Sequence, residues 1–177
     1  MLPILQLIVD TIASVLGGVL LLRFWMQAIR VRPPASVAQF TFTLSDWLVK
    51  PLRRIMPGVG GYDWASLIAA FVVVLLATSI YLLAGASGEQ VFLFALARFL
   101  KWIIYGFVAL LIIEAIFSWV NPHAPLAPFV HALNDPLLRP IRRVVPPIGG
   151  LDLSVLVAVL LLQIALYVLR VVIPGPY

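Results

Sequence analysis

The sequence predicts an all-α membrane protein with four transmembrane helices in two parallel tandem repeats, each carrying an interfacial amphipathic helix. Three observations lead there. The 177-residue chain is 63% hydrophobic and only 11% charged, with a mean hydropathy of +1.12, far from the composition of a soluble domain. Four apolar runs are long enough to cross a hydrocarbon core of roughly 30 Å, which takes about 20 helical residues. Finally, Pro51-Leu52-Arg53-Arg54-Ile55-Met56-Pro57, then Gly60-Gly61-Tyr62-Asp63, recurs as Pro140-Ile141-Arg142-Arg143-Val144-Val145-Pro146, then Gly149-Gly150-Leu151-Asp152, at a constant offset of 89 residues. A fixed offset is the signature of an internal repeat. The repeats are assigned to residues 1–88 and 89–177, each with two spans and a patterned connector.

The first span is expected near Pro3 to Ala28 and contains two charges, Asp10 and Arg23. No basic residue precedes Arg23, so the pattern of a cleaved secretory signal is missing and the run is expected to be retained. Ala13 with Gly17, and Ser14 with Gly18, form small-xxx-small spacings that admit a neighbouring helix, first of all one from the same chain. In the connector that follows, Val37, Phe40, Leu44, Trp47 and Leu48 keep helical spacing, with Thr41, Thr43, Ser45, Asp46 and Lys50 as polar surface. Such a face suits the membrane interface, where Trp favours the headgroup boundary, and equally suits packing on the spans. Pro51 is expected to terminate or kink this helix, because its ring removes a hydrogen bond and constrains the residue before it. Gly60-Gly61 supplies a tight turn and Asp63 caps the second span, Trp64 to Ala86, which has no charge at all.

The second unit repeats this plan. Its first span is expected at Lys101 to Val120, with Glu114 inside it, and its connector places Leu126, Phe129, Leu133 and Leu137 at the offset of the earlier apolar positions. Asp135-Pro136 offers an N-cap with proline at the first helical position, so a helix boundary may be drawn there or at Pro140. Gly149-Gly150 and Asp152 then lead into Leu153 to Ile173, whose polar residues are Gln163 and Arg170.

Orientation follows from Lys and Arg near the span ends. Arg30, Arg32, Lys50, Arg53, Arg54, Arg139, Arg142 and Arg143 fall on one side, against Arg98, Lys101 and Arg170 on the other. Both basic connectors are therefore expected in the cytoplasm and both termini outside, giving parallel repeats.

The two arginine-proline motifs with Gly-Gly-x-Asp, the Leu21-Leu22-Arg23-Phe24-Trp25-Met26-Gln27 run and Ser118-Trp119-Val120-Asn121-Pro122 together resemble the YggT family of bacterial membrane proteins. The resemblance covers nearly the whole chain. It implies a small two-repeat protein of the bacterial inner membrane without an assigned enzymatic reaction. It also implies a setting among osmotic-stress tolerance, potassium uptake and cell-division-associated functions, or, in plastids, cytochrome b assembly and nucleoid organisation.

Chemically, the best candidates are the Arg53-Arg54 and Arg142-Arg143 pairs, with Lys50 and Arg139 beside them. Held at the interface, they suit anionic lipid headgroups or acidic residues of a partner, each basic group contributing about 1 kcal/mol near an anionic surface. Positive-inside topology alone explains the same charges. Arg23 and Glu114 lie at comparable depth, which leaves open a pair between repeats, a cation site, a proton relay or snorkelling of Arg23. For Asp10 the available partners are Arg170, Lys101 and Thr11.

Other chemistries find little support. Cysteine is absent, which removes disulfides and thiolate chemistry. His123 and His131 are the only histidines, and His131 with Asp135 supplies two ligands where a closed metal site needs more. No nucleophile elbow or phosphate loop is present. No metal or cofactor is expected, and the pI near 10.1 is better explained by topology than by nucleic-acid binding. The sequence thus points to a non-enzymatic organiser of a membrane complex, in envelope or osmotic stress, working on the bilayer with a membrane-protein partner or a second copy. The alternative is a small ion transporter or an accessory subunit for potassium uptake.

Overall fold

The structure is a computed structural model that describes residues 2–56, 58, 60–145, 152–173 and 175. Its helices are α1 (Leu2–Ala28), α2 (Ala35–Ile55), α3 (Trp64–Thr78, prolonged by a 3-10 segment Ser79–Ala84), α4 (Gly88–Val120), α5 (Ala127–Val144) and α6 (Ser154–Val172). Four of them, α1, α3 with its 3-10 extension, α4 and α6, are long and apolar enough to cross a membrane. The chain is a multi-pass membrane protein, with α2 and α5 as the connector helices.

Each connector packs on the spans of its own repeat. Val49 of α2 joins Leu20, Ala65, Ala69 and Ala70 in one buried cluster, flanked by Leu48 and Leu52. Leu138 of α5 joins Leu111 and Ala158 in the other, flanked by Leu137 and Ile141. Val49 and Leu138, Leu48 and Leu137, and Ala69 and Ala158 are each 89 residues apart, so one packing scheme is used twice. The apolar face expected on α2 is divided: Leu48 meets the core, whereas Phe40 and Trp47 stay exposed. The buried stripe is instead Thr41, Ser45 and Val49, matched in α5 by Val130, Asn134 and Leu138.

Three element boundaries differ from expectation. Pro51 does not end α2, which runs on to Ile55, and Pro136 and Pro140 both lie inside α5. Proline's fixed φ is itself helical, so the helix continues at the loss of one N–H, and the packing of Leu52 and Ile141 holds the last turns. Asp135-Pro136 accordingly sits mid-helix and caps nothing. In the second repeat the first span begins at Gly88 rather than Lys101, because a capping box starts it: Ser87 Oγ accepts from Gln90 N at 3.2 Å and Gln90 Oε1 accepts from Ser87 N at 2.9 Å. Arg98 and Lys101 are buried within that helix instead of flanking it.

The repeats join through aromatic side chains. Phe71 of α3 meets Phe92 and Phe99 of α4 edge-on, at ring separations of 5.9 and 5.4 Å. Trp25, near the end of α1, packs edge-on against Phe107 and donates its indole N–H to the Leu133 carbonyl of α5 at 2.9 Å. That bond puts both connector helices at one end of the bundle. Further along α1, the Trp102 ring lies directly on Gly17, where an added Cβ would fall 2.1 Å from it; at Gly18 no atom lies within 4 Å of such a Cβ. Ala13 and Gly17 are buried and serve packing within the chain, whereas Ser14 and Gly18 are exposed.

Candidate functional site: two ion-pair hubs and an outer charged cavity

In the first repeat the hub is built on Asp63. As the N-cap of α3 it accepts from Ser66 N at 3.4 Å and from Ser66 Oγ at 2.6 Å. Arg53 closes over the same carboxylate with a forked pair of bonds, Nε to Oδ1 at 3.2 Å and Nη2 to Oδ2 at 2.5 Å. From α1, Arg23 Nη1 donates to Ser45 Oγ at 2.6 Å and to Asp46 Oδ1 at 2.8 Å, and its Nε lies 3.5 Å from Asp63 Oδ2. Lys50 pairs with Asp46 at 2.9 Å. Three cations thus share two carboxylates, and the innermost partners, Arg23 and Asp63, are both buried.

The second hub keeps the clamp and changes the rest. Asp152 accepts from Ser154 N at 3.0 Å and from Ser154 Oγ, and Arg142 reaches it through Nε at 2.9 Å and Nη2 at 2.8 Å. Arg142 Nη2 also lies 3.3 Å from Glu114 Oε1, which meets His131 Nδ1 at 2.9 Å. Arg139 Nη2 donates to Asp135 Oδ2 at 2.5 Å.

Arg23 and Glu114 therefore do not pair. Each is engaged by the connector helix of its own repeat, whose charges lie closer than anything across the interface. The two arginines of each motif also part company. Arg53 holds the capping Asp63 and Arg142 holds Asp152, which, contrary to the expectation of a cap, stands one residue before the N-cap Leu153 of α6; Arg54 and Arg143 are exposed and form no ion pair with the described residues. Successive helical residues point about 100° apart, so one guanidinium turns toward the aspartate and the next away from it, although Arg53 itself stays 43% exposed.

Toward the other end, Asp10 pairs with Arg98 at 2.6 Å, and not with Arg170, Lys101 or Thr11, whose hydroxyl donates to the Leu7 carbonyl. The early start of α4 is what brings Arg98 level with Asp10. The pair lies beside Lys101, Arg170, Tyr81 and Trp102 on a cavity of about 360 Å³. Gln163 is exposed on α6 and belongs to neither hub. Gly60 and Gly61 do form the turn before α3, at φ of 69° and 82°, a region that favours glycine. Pro57, Pro146, Gly149 and Gly150 lie outside the described residues. Among the described residues no three His, Asp or Glu side chains gather as a metal site.

Reading the sequence named Arg98 as a flanking charge, His131 as a candidate ligand and Ser45 as polar surface, and missed their ion-pair and hydrogen-bond roles; Ser66 and Ser154 it did not single out. Ser66, three residues after a capping aspartate, carried a usable signal; the partners of Arg98 and His131 depend on helix packing and carried none.

The repeat structure and the paired hubs invite comparison with known proteins. A family model described as CCB3/YggT matches residues 1–84 and again 93–173. The chain belongs to the CCB3/YggT family. Relatives include an "Uncharacterized protein in proC 3'region" of Vibrio alginolyticus, 33% identical over 97% of this chain and 96% of the relative. YggT of Escherichia coli K12 is 33% identical over 90% and 86%, and PA0392 of Pseudomonas aeruginosa is 36% identical over 89% and 83%. No solved structure matches the chain. In this CCB3/YggT protein each of the two matched segments contains one hub in full.

The hubs set an acid limit on stability. Burial alone pushes the Asp63 carboxyl up, but hydrogen bonds from Arg53 and Ser66 and the charges of Arg53 and Arg23 hold it below the ordinary value near 3.8. Asp152 is held down likewise: burial opposes, while bonds from Ser154 and Arg142 prevail. Carboxyls depressed in the folded state contribute stability that is complete above their unfolded value and is lost as pH falls through the folded one. The melting temperature in detergent should therefore hold from neutrality to about pH 5 and fall below about pH 4, near the unfolded aspartate value. An Asp63→Asn/Asp152→Asn variant should show a shallower acid fall. Equal melting temperatures of the unaltered protein at pH 7 and pH 3 would contradict this account.

Proposed function

We propose that this chain is a multi-pass protein of the bacterial inner membrane that organises or assists a membrane complex, without catalysing a reaction, in envelope or osmotic stress. It acts through basic residues at the cytoplasmic interface. The observation that carries this reading is the outward-facing second arginine of each motif: Arg54 and Arg143 are exposed and without an ion pair among the described residues, while Arg53 and Arg142 are taken up by Asp63 and Asp152. Lys50 and Arg139 stand one helical turn before them, largely exposed although each meets an aspartate. Two equivalent basic patches at one end of the bundle match the headgroups of anionic lipids or the acidic surface of a partner. The cytoplasmic assignment is supported by the burial of Arg98 and Lys101 within α4, which removes them from the charges counted on the opposite face.

The transport alternative calls for a hydrated path along the spans, yet Arg23, Glu114 and Asp10 are each engaged in separate ion pairs. That separation favours the organising role.

The test is retention of phosphatidylglycerol by the purified protein, followed by native mass spectrometry, for an Arg54→Ala/Arg143→Ala variant. With about 1 kcal/mol for each basic group, affinity should fall roughly thirtyfold, and a double lysine variant should lie between. Unchanged retention in the alanine variant would sink the reading, and potassium flux through liposomes holding only this protein would favour transport.

A further inference from the structure

One difference between the two repeats changes the charge beneath the connector helix. At the offset of 89, Arg23 corresponds to Ile112 and Trp25 to Glu114, so the span beneath the second connector has one cation fewer and one acid more. In the first repeat the Arg23 guanidinium sits among Ser45, Asp46 and Asp63. In the second, Ile112 and Glu114 line a cavity of about 780 Å³. Glu114 Oε1 already meets His131 and Arg142, whereas its Oε2 is buried with no hydrogen-bond partner among the described residues. A buried acceptor in that condition forfeits its hydration without compensation. Asp152 lies on the same wall. Arg142, His131 and Ser118 complete its polar side. The rest of the lining is apolar, and its Ile112, Trp119 and Leu156 are exposed side chains of α4 and α6, so the cavity opens between two spans toward lipid.

We propose that this cavity binds a phospholipid with a primary-ammonium headgroup. The ammonium donates to Glu114 Oε2, supplying the cation that the second repeat lacks, and an acyl chain lies along Ile112, Trp119 and Leu156. The chemistry excludes the two other common headgroup types. A quaternary ammonium has no N–H to donate, and a glycerol headgroup brings no cation to Glu114 Oε2; the phosphate common to all three lipids faces Arg142 and does not discriminate among them. The site uses none of the exposed arginines, so its success or failure is independent of the organising role above.

Native mass spectrometry of the full chain, with phosphatidylethanolamine, phosphatidylcholine and phosphatidylglycerol added at equal concentration, tests it. Phosphatidylethanolamine should be retained about tenfold over phosphatidylcholine, the scale of one hydrogen bond to a charged group. Dodecylammonium should displace it and dodecyltrimethylammonium should not. Glu114→Gln should abolish the preference, and Ile112→Arg, which restores a tethered guanidinium, should exclude the lipid while the melting temperature shows the fold intact. Equal retention of the ethanolamine and choline lipids by the unaltered protein overturns the proposal. So does retained selectivity in Glu114→Gln, preference for phosphatidylglycerol, or a lipid-free dimer that occupies the cavity.

Discussion

Asp63→Ala is expected to lower the stability of the folded chain by about 3–5 kcal/mol, the range for removing one partner of a buried ion pair and leaving the other charged. Asp63 is only 2% exposed and Arg23 5%. Alanine there would leave Asp46 as the one carboxylate among Arg23, Lys50 and Arg53, and would strip α3 of its cap. Asp63→Asn keeps an acceptor for the Ser66 N–H but loses the charge and one acceptor oxygen of the Arg53 fork, so it should be milder than alanine by about the 1 kcal/mol of a cap. Asp152→Ala should cost less. Asp152 is 37% exposed, and Glu114 and Asp135 remain near Arg142 after it is gone. Thermal unfolding in detergent, followed by tryptophan fluorescence, gives the ranking directly. If Asp63→Ala melted no earlier than Asp152→Ala, burial of the first hub would not be what holds α1, α2 and α3 together.

Gly17→Leu should be nearly as harmful, at about 1–3 kcal/mol or somewhat more, because a filled interface is overpacked. Trp102 occupies the space of any side chain at position 17, so even alanine must displace the ring. The ring cannot move freely: the Arg98 guanidinium lies over it at 5.5 Å and is itself paired with Asp10. Displacement at Gly17 therefore loosens both the contact between the repeats and the outer ion pair. Gly18→Leu is the control, since no atom lies within 4 Å of a Cβ there, and a change within about 0.5 kcal/mol is expected for such a site. Trp102→Leu should partly restore Gly17→Ala by vacating the space. Equal melting temperatures for Gly17→Leu and Gly18→Leu would show that α1 and α4 do not meet as closely as described.

Much of the architecture was legible because it depends on local or periodic features. The apolar runs announced the spans, and Asp63 announced its cap by standing just before one. The 89-residue offset marked the repeat, which the two matched family segments also mark. Where the reading failed, a local rule met a tertiary contact. Pro51 and Pro140 looked like helix ends, yet the side chains that directly follow them, Leu52 and Ile141, pack against the core and hold the helices on course. Lys101 looked like the edge of a span because charges usually stand outside lipid, but Ser87 and Gln90 start the helix earlier and carry Lys101 inward.

Partner choice was the least legible part. Arg23 and Glu114 were matched by depth, a coordinate along the helix axis; the contacts that form depend on rotation about that axis and on which connector folds over which span. Arg53 and Arg54 are indistinguishable as letters, and only the direction in which α2 lies makes one a clamp and the other a surface charge.

From its sequence alone this chain had to be helical, membrane-spanning and duplicated, because burying apolar runs of that length leaves lipid as the solvent and the helix as the way to satisfy the backbone. Which carboxylate meets which guanidinium, and where a cavity remains unfilled, were settled by the packing of six helices, since a charge pair is a matter of a few ångströms between elements far apart in the chain.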